Sequence, residues 1–191
     1  MRKPRVTNVE GPERLKALAH PLRMRLLGLL RLEGPGTASS FAKKLNESSG
    51  ATSYHLRQLA RHGFIEVDEE LGTGREKWWK AAHDITHWSM ADFLDDPAAA
   101  AVADTMRRQI LSTQAEFLNA YFEKEHEWGR DWIDAAALDD QWIYLDPAGL
   151  RALTSAIHTL IDEHDLGPDA GPDVERVAVL LQAFPTEGLP I

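Results

Sequence analysis

The sequence predicts an α+β protein, mainly helical with a small amount of β-structure, divided into two domains. Apolar residues recur at helical spacing through most of the 191 residues. One alternating stretch, residues 64–81, is typical of a β-hairpin. The charge is also divided: residues 1–82 hold 15 Lys and Arg against 9 Asp and Glu, and residues 83–191 hold 6 against 21. A basic front is therefore joined to an acidic back.

The composition excludes several classes of protein. The chain has no cysteine, which rules out disulfides, thiolate metal sites and cysteine nucleophiles. Residues 1–11 lack the apolar core of a signal peptide, and no stretch approaches the roughly 20 apolar residues of a membrane helix. The sequence therefore predicts a cytoplasmic protein without a membrane partner. Because nucleic acid is a polyanion, any surface that binds it is expected within residues 1–82.

Four helices are predicted in the basic part, after an arm (residues 1–11) that is expected to be frayed. They cover residues 13–20, 21–32, 38–45 and 50–61. Pro21 suits a first helical turn, and the Gly-Pro-Gly sequence at 34–36 ends the second helix. Thr37 is predicted to cap the third helix. In the fourth helix, Leu56 and Leu59 are expected to face inward.

A β-hairpin is predicted next, with strands over 64–70 and 75–81 joined by a turn at 71–74. Of the adjacent Trp78 and Trp79, one is expected in the core, because successive strand residues face opposite ways. Acidic residues of the first strand, Glu66, Asp68, Glu69 and Glu70, would repel DNA, so only the hairpin tip is expected to touch it. Helices followed by such a hairpin are the layout of a winged helix-turn-helix, here residues 12–82.

The acidic part, residues 83–191, is predicted to be a domain for dimerisation and possible effector binding. A linker (83–97) with a short helix near 88–94 comes first, and a long helix is expected over 98–136. Its apolar stripe comprises Val102, Met106, Ile110, Phe117 and Tyr121. A strand over 142–145, a helix starting at Asp146-Pro147 and ending near His164, and a strand over 174–184 are expected to follow.

Several segments closely resemble the ArsR/SmtB-type winged-helix transcription regulators. These segments are Ala-His-Pro-Leu-Arg at 19–23, Phe-Ala-Lys-Lys-Leu at 41–45, Ala-Thr-Ser-Tyr-His-Leu-Arg-Gln-Leu at 51–59, Gly-Phe-Ile-Glu-Val at 63–67 and Gly-Arg-Glu-Lys-Trp-Trp at 74–79. The resemblance covers about residues 12–82. It implies a DNA-binding regulator in which Ser49, Thr52, Ser53 and His55 lie at the groove.

The candidate DNA contacts are concentrated in the fourth helix and at the hairpin tip. Short polar side chains beside an Arg and a Gln are the residue types that bind base edges in a major groove. A basic residue beside a flexible turn suits contact with phosphate. The predicted contacts are Ser49, Thr52, Ser53, Tyr54, His55, Arg57, Gln58, Arg75 and Lys77. The alternative is an ordinary solvated polar surface.

Metal binding and catalysis are weaker interpretations of the polar residues. Asp84 with His87, and His158 with Asp162 and His164, do not complete a sensor spacing. The sequence therefore predicts no metal site and no cofactor. A possible acid–base catalytic group consists of His126, Glu127, Asp131, Asp139 and Asp140. Their pattern is also that of an ordinary solvated helix face, which is the preferred interpretation. No enzyme activity is expected.

Aromatic residues of the acidic part are the candidates for an effector site. Trp88, Trp128, Trp132, Trp142 and Tyr144 could line a cavity for an apolar or aromatic ligand, and core or dimer packing is the alternative. The predicted function is a homodimeric DNA-binding repressor that a small organic effector releases from its operator. A metal-responsive repressor, a winged-helix protein–protein interaction module and an enzyme in the acidic part are the alternatives.

Overall fold

The computed structural model describes residues 5–71, 76–167 and 170–187. The chain divides into two compact units, the first ending at Ala115 and the second beginning at Glu116. The first unit therefore continues past residue 82, where the sequence suggested a boundary. Within the described residues, no helix is both long enough and apolar enough to cross a membrane.

The elements confirm the α+β class, and helices predominate. The helices are α1 (Pro12–Leu18), α2 (Pro21–Leu32), α3 (Ala38–Leu45), α4 (Ser49–Arg61), α5 (Pro97–Lys124), α6 (Arg130–Ala135) and α7 (Pro147–His164). The strands are β1 (Val6–Asn8), β2 (Gly36–Thr37), β3 (Ile65–Val67), β4 (Trp78–Ala81) and β5 (Ile85–His87), and short 3-10 helices cover Met90–Phe93 and Glu125–Glu127.

The four predicted N-terminal helices are all present because their signals are local. Thr37 caps α3 as expected: its hydroxyl accepts from the backbone N–H of Ser40, and the Ser40 hydroxyl accepts from the N–H of Thr37. This reciprocal pair is a capping box, which satisfies two N–H groups left free at a helix start. The imidazole of His20 caps α2 by accepting from the N–H of Leu22.

The predicted hairpin forms a three-stranded antiparallel sheet in the order β2-β4-β3. Trp79 on the central strand is paired with Gly36 on one side and with Val67 on the other. Trp79 is buried and Trp78 is half-buried, which confirms that only one of the two lies in the core. Gly36 is required here, because a Cβ would lie 2.5 Å from Cζ of the buried Phe41.

The described part of the N-terminal arm, residues 5–11, contains a strand, whereas the sequence suggested a frayed arm. Residues 6–8 form β1, which pairs in parallel with β5, and Val6 lies opposite Ile85. The side chain of Arg31 supports this region by donating to the carbonyl of His83 at 3.0 Å and to the Thr86 hydroxyl at 2.6 Å. Three-residue strands so far apart in sequence leave almost no local pattern.

The core of the first unit lies between α1, α2, α4, the sheet and the first turns of α5. Its buried members include Leu15, Leu18, Leu26, Leu30, Phe41, Leu56, Leu59, Phe64, Trp79, Phe93, Ala99, Ala103 and Met106. The start of α5 thus packs against the same core as the four N-terminal helices. From the predicted stripe of α5, Met106 is in this core, and Phe117 is half-exposed.

Two expectations for the second unit were wrong. The predicted helix 98–136 is interrupted after Lys124, and α6 begins again after Gly129, a residue with poor helix propensity. The expected strands 142–145 and 174–184 belong to no helix or strand. A strand exists only when a neighbour completes its hydrogen bonds, and the sequence pattern cannot supply that neighbour. The helix predicted to start at Asp146-Pro147 is confirmed, and Asp146 caps it.

Candidate nucleic-acid interface

Helices α3 and α4 form a helix-turn-helix. The turn consists of residues 46–48, and Asn46 adopts the left-handed conformation that ends α3. The Ser48 hydroxyl then starts α4 by accepting from the N–H of Ala51 at 3.1 Å. This tight connection leaves the N-terminal half of α4 at the surface, where a groove of DNA can be reached.

One face of α4 is buried in the core. Thr52, Leu56 and Leu59 are all fully buried, at the spacing that places three residues on one side of a helix. The predicted DNA contact of Thr52 is therefore wrong, because its side chain is 0% exposed. Its hydroxyl has no hydrogen-bond partner within the described residues. The signal was available in the sequence, since Thr52 lies one helical turn before the inward-facing Leu56.

The opposite face of α4 is open to solvent. Ser49, Ser53 and Arg57 follow one another at four-residue intervals, and Tyr54 beside them is 50% exposed. Arg61, exposed one turn beyond Arg57, continues the row, and its place in the sequence pattern had not marked it as a contact. Gln58 lies half-buried at the margin. No Asp or Glu occurs in α4, so this face carries only positive charge.

His55 is half-buried and packs against the start of α2, away from the open side of α4. Its ring centroid lies 4.2 Å from that of His20, and Nη1 of Arg23 lies 3.5 Å from its Nδ1. Arg23 is itself held by the carbonyls of Lys16 and Ala17. His55 therefore joins α4 to the start of α2, which corrects the prediction that it lies at the groove.

The surroundings of the two histidines disfavour their charged forms. Partial burial is the main cause that lowers the pKa of His20, and the positive charge of Arg23 adds to it. Burial, then His20 and Arg23, lowers the pKa of His55, while Glu47 acts in the opposite direction. His20 also caps α2 through an unprotonated Nδ1, which requires a neutral imidazole.

The hairpin approaches α4 through the residues just before β4 and at its start. Lys77 is exposed, as a phosphate contact requires, and it lines a hollow of about 340 Å³ together with Ala38, Ser53, Arg57, Glu76 and Trp79. The Ser39 hydroxyl donates to the Glu76 carboxylate at 2.7 Å, which links α3 to this end of the hairpin. Arg75, the predicted contact at the tip, lies outside the described residues.

The acidic residues of the hairpin are partly neutralised within it. Lys80 on β4 lies 3.9 Å from the Glu66 carboxylate and 3.7 Å from that of Asp68. Asp68 is nearly buried and accepts from the backbone N–H groups of Glu70 and Leu71. Asp68 therefore stabilises the turn and presents little charge to solvent.

The proposed effector residues are not gathered in one enclosed cavity. Trp88, half-buried beside Phe93, lines a hollow of about 580 Å³ in the first unit, together with Asn8, Val9, Glu10, Gly11, His87, Ser89 and Asp92. In the second unit, the rings of Trp128 and Trp132 lie 6.1 Å apart. Trp142 is 65% exposed and Tyr144 is fully exposed, so neither is enclosed.

No group of three or more His, Asp or Glu side chains within the described residues is arranged to hold a metal ion. Neither Asp84 with His87 nor His158 with Asp162 and His164 therefore belongs to such a group in the described part of the chain.

Comparison with known proteins supports the helix-turn-helix. Residues 18–68, from the end of α1 to just beyond β3, match the family described as "Helix-turn-helix domain". No curated protein matches the chain. A solved structure of a mutant of Lactococcus lactis ZitR in apo form is 16% identical, covers 77% of this chain and 84% of that chain, and superimposes with a TM-score of 0.34. So low a score does not establish a common fold. Residues 18–68 carry a helix-turn-helix domain, a domain typical of DNA-binding regulators.

Proposed function

We propose that this protein is a sequence-specific regulator of transcription that binds duplex DNA as a homodimer and represses the genes beside its operator. The observation that carries the proposal is the open face of α4. It presents Tyr54, Arg57 and Arg61 to solvent, with the half-buried Ser53 at its edge and without a single acidic side chain, on a helix fixed to the core by its opposite face. The protein acts by binding, and no chemical step is required of it.

The side chains of this face suit different parts of the DNA. Arg57, near the middle of α4, suits the paired acceptors on the major-groove edge of guanine. Tyr54 lies beside Arg57 and Arg61 lies one turn beyond it, where a hydroxyl or a guanidinium can bind phosphate oxygens. Lys77 on the hairpin adds a further positive charge beside Arg57, in the hollow that both residues line. Arg57 would read the base sequence, and the contacts of Tyr54, Arg61 and Lys77 with phosphate would supply affinity.

A second copy is needed because one recognition helix reads only a few base pairs. Two symmetric copies would read two half-sites about 34–36 Å apart, one turn of the duplex. The expected operator is therefore a palindrome. The effector that releases it is proposed to be a small organic molecule. Of the five aromatic candidates, Trp88 lines an open hollow of about 580 Å³ whose other lining residues are mostly polar, so this hollow does not single out an apolar ligand.

The test is selection of the full chain against random DNA duplexes, with the bound fraction sequenced and its affinity measured at several salt concentrations. A palindromic motif, with affinity that falls as salt rises, is expected. Binding without sequence preference would contradict a specific regulator. No DNA binding at low salt would favour the protein–protein module. Transcription from a promoter that carries the selected site, measured with and without the protein, distinguishes a repressor from an activator.

A further inference from the structure

The hollow between α4 and the hairpin is lined by side chains that suit a bound anion. Arg57 and Lys77 bring positive charge to it, and Ser53 brings a hydroxyl. Neither Arg57 nor Lys77 forms an ion pair with another described residue. All the residues that line the hollow belong to the first unit, so it is formed within that unit alone. The two positive side chains are therefore available to a negative group that enters from solvent.

Glu76 places a carboxylate at this same hollow. Its Oε1 accepts a hydrogen bond from the hydroxyl of Ser39 at 2.7 Å. Ser39 is the second residue of α3, so its hydroxyl lies in the first turn of a helix, where the helix dipole favours negative charge. Both Ser39 and Glu76 are exposed, so their contact is reached from solvent. The carboxylate thus lies where an anion bound beside Lys77 would be expected.

A carboxylate and a DNA phosphate make the same kinds of contact with a protein. Both present negatively charged oxygens, which accept short, strong hydrogen bonds from hydroxyl and ammonium groups. Each strand of a duplex carries one phosphate about every 3.4 Å. A helix that lies in the major groove therefore has phosphates along its sides, and the hollow flanks α4 on the side of the hairpin. A phosphate of the bound duplex and the Glu76 carboxylate would compete for this position.

We infer that Glu76 occupies, in the DNA-free protein, the place of one phosphate of the duplex, and that this phosphate binds Ser39 and Lys77 once the carboxylate turns away. Arg57 stays available for the guanine edge. The inference rests on the proposed function and deepens it in two respects. Ser39, which the sequence did not mark, becomes a phosphate contact. Glu76 becomes a built-in competitor that lowers the affinity for every duplex alike, because the phosphate is common to all sequences.

The experiment measures binding of the full chain and of Glu76→Gln to the selected operator and to an unrelated duplex of equal length, at several salt concentrations. Glutamine removes the charge and keeps an oxygen that accepts from Ser39. The affinity of Glu76→Gln should rise about fivefold for both duplexes, as expected when two like charges about 4 Å apart in water no longer repel. The salt dependence should steepen by up to about 0.9, the slope of one further phosphate. The matched control is Glu69→Gln, which removes the same charge from the same hairpin outside the hollow and should change affinity less than about twofold.

Ser39→Ala provides the second arm, in the unmodified chain and in Glu76→Gln. It should lower the affinity of Glu76→Gln for both duplexes about fivefold, because a hydrogen bond to phosphate is lost. The loss should be smaller in the unmodified chain, where the same change also removes the contact that holds the competing carboxylate. Urea unfolding of Glu76→Gln should match that of the unmodified chain.

Several results would overturn the inference and leave the proposed function standing. Equal gains from Glu76→Gln and Glu69→Gln would reduce the effect to overall charge. A gain on the operator alone would mean that Glu76 contacts a base. Equal losses from Ser39→Ala in the two backgrounds would mean that Ser39 does not change partner, and lower stability without a gain in affinity would limit Glu76 to linking the hairpin with α3. If the unmodified chain and every variant bound no duplex, the proposed function and this inference would both be wrong.

Discussion

The imidazole rings of His20 and His55 lie with their centroids 4.2 Å apart, so that the residue capping α2 contacts the middle of α4. Helix α4 is therefore held against α2 by two imidazoles whose charged forms are disfavoured. Arg23 beside them adds a positive charge that opposes protonation of either ring.

The first prediction concerns pH. Both histidine pKa values are lowered in the folded state, so the unfolded chain takes up these protons first as the pH falls. The stabilisation is complete above about pH 6.5, the ordinary histidine pKa, and declines as the pH falls below it. Urea unfolding at a series of pH values should show a smaller loss of stability on acidification for His55→Gln. His158→Gln, which removes an exposed imidazole from α7, is the control. An unchanged pH dependence in His55→Gln would contradict the role of the pair.

The second prediction concerns the buried hydroxyl of Thr52. Thr52→Val keeps the shape of the side chain and removes a polar group that has no partner in the described residues. Stability should rise by about 1 kcal/mol, measured by urea unfolding, and base preference should stay unchanged. Thr52→Ala removes a methyl group as well and should lower stability. A changed DNA motif in Thr52→Val would mean that Thr52 contacts bases.

The third prediction concerns the close approach of Gly36 and Phe41. Gly36→Ala places a methyl group against the buried ring of Phe41 and should destabilise the first unit by about 1–3 kcal/mol. Gly28→Ala is the matched control: no atom lies within 4 Å of its added Cβ, and alanine favours helix, so that variant should be slightly stabilised. Phe41→Leu should partly rescue Gly36→Ala in a double-mutant cycle. Additive losses would contradict the proposed clash.

The fourth prediction separates the open face of α4 from the rest of the basic surface. Arg57→Ala should lower affinity for the selected operator by about 1–3 kcal/mol and relax base preference at one position of each half-site. Arg61→Ala should weaken all duplexes alike and reduce the salt slope by about one. Arg25→Ala removes the same charge from α2, about 200° around that helix from Arg23 and so away from α4. If Arg25→Ala lowered the affinity as much as Arg57→Ala, binding would depend on the overall positive charge and not on the open face of α4.

The sequence was sufficient where the signals are local and insufficient where a distant or absent neighbour decides the structure. Thr37 and the breaks at Pro21 and Gly36 define α2 and α3 within a few residues of themselves. The face of Thr52 was also accessible, through its spacing from Leu56, but its polar side chain suggested a contact. The β1–β5 pairing could not be predicted, because it joins residues about 80 positions apart. Residues 142–145 and 174–184 have the apolar pattern of strands and yet belong to no strand.

The parallel pairing of β1 with β5 also bears on the order in which the first unit assembles. The N–H of Arg5 donates to the Asp84 carboxylate across 79 residues of sequence, and the strands beside this bond are only three residues long. Closing so large a loop costs more entropy than the local contacts of α3 with α4. We therefore expect the helix-turn-helix to form early in folding, and β1 to close late and to open first in the native protein. Opening of β1 would then leave α4 packed in the core through Thr52, Leu56 and Leu59.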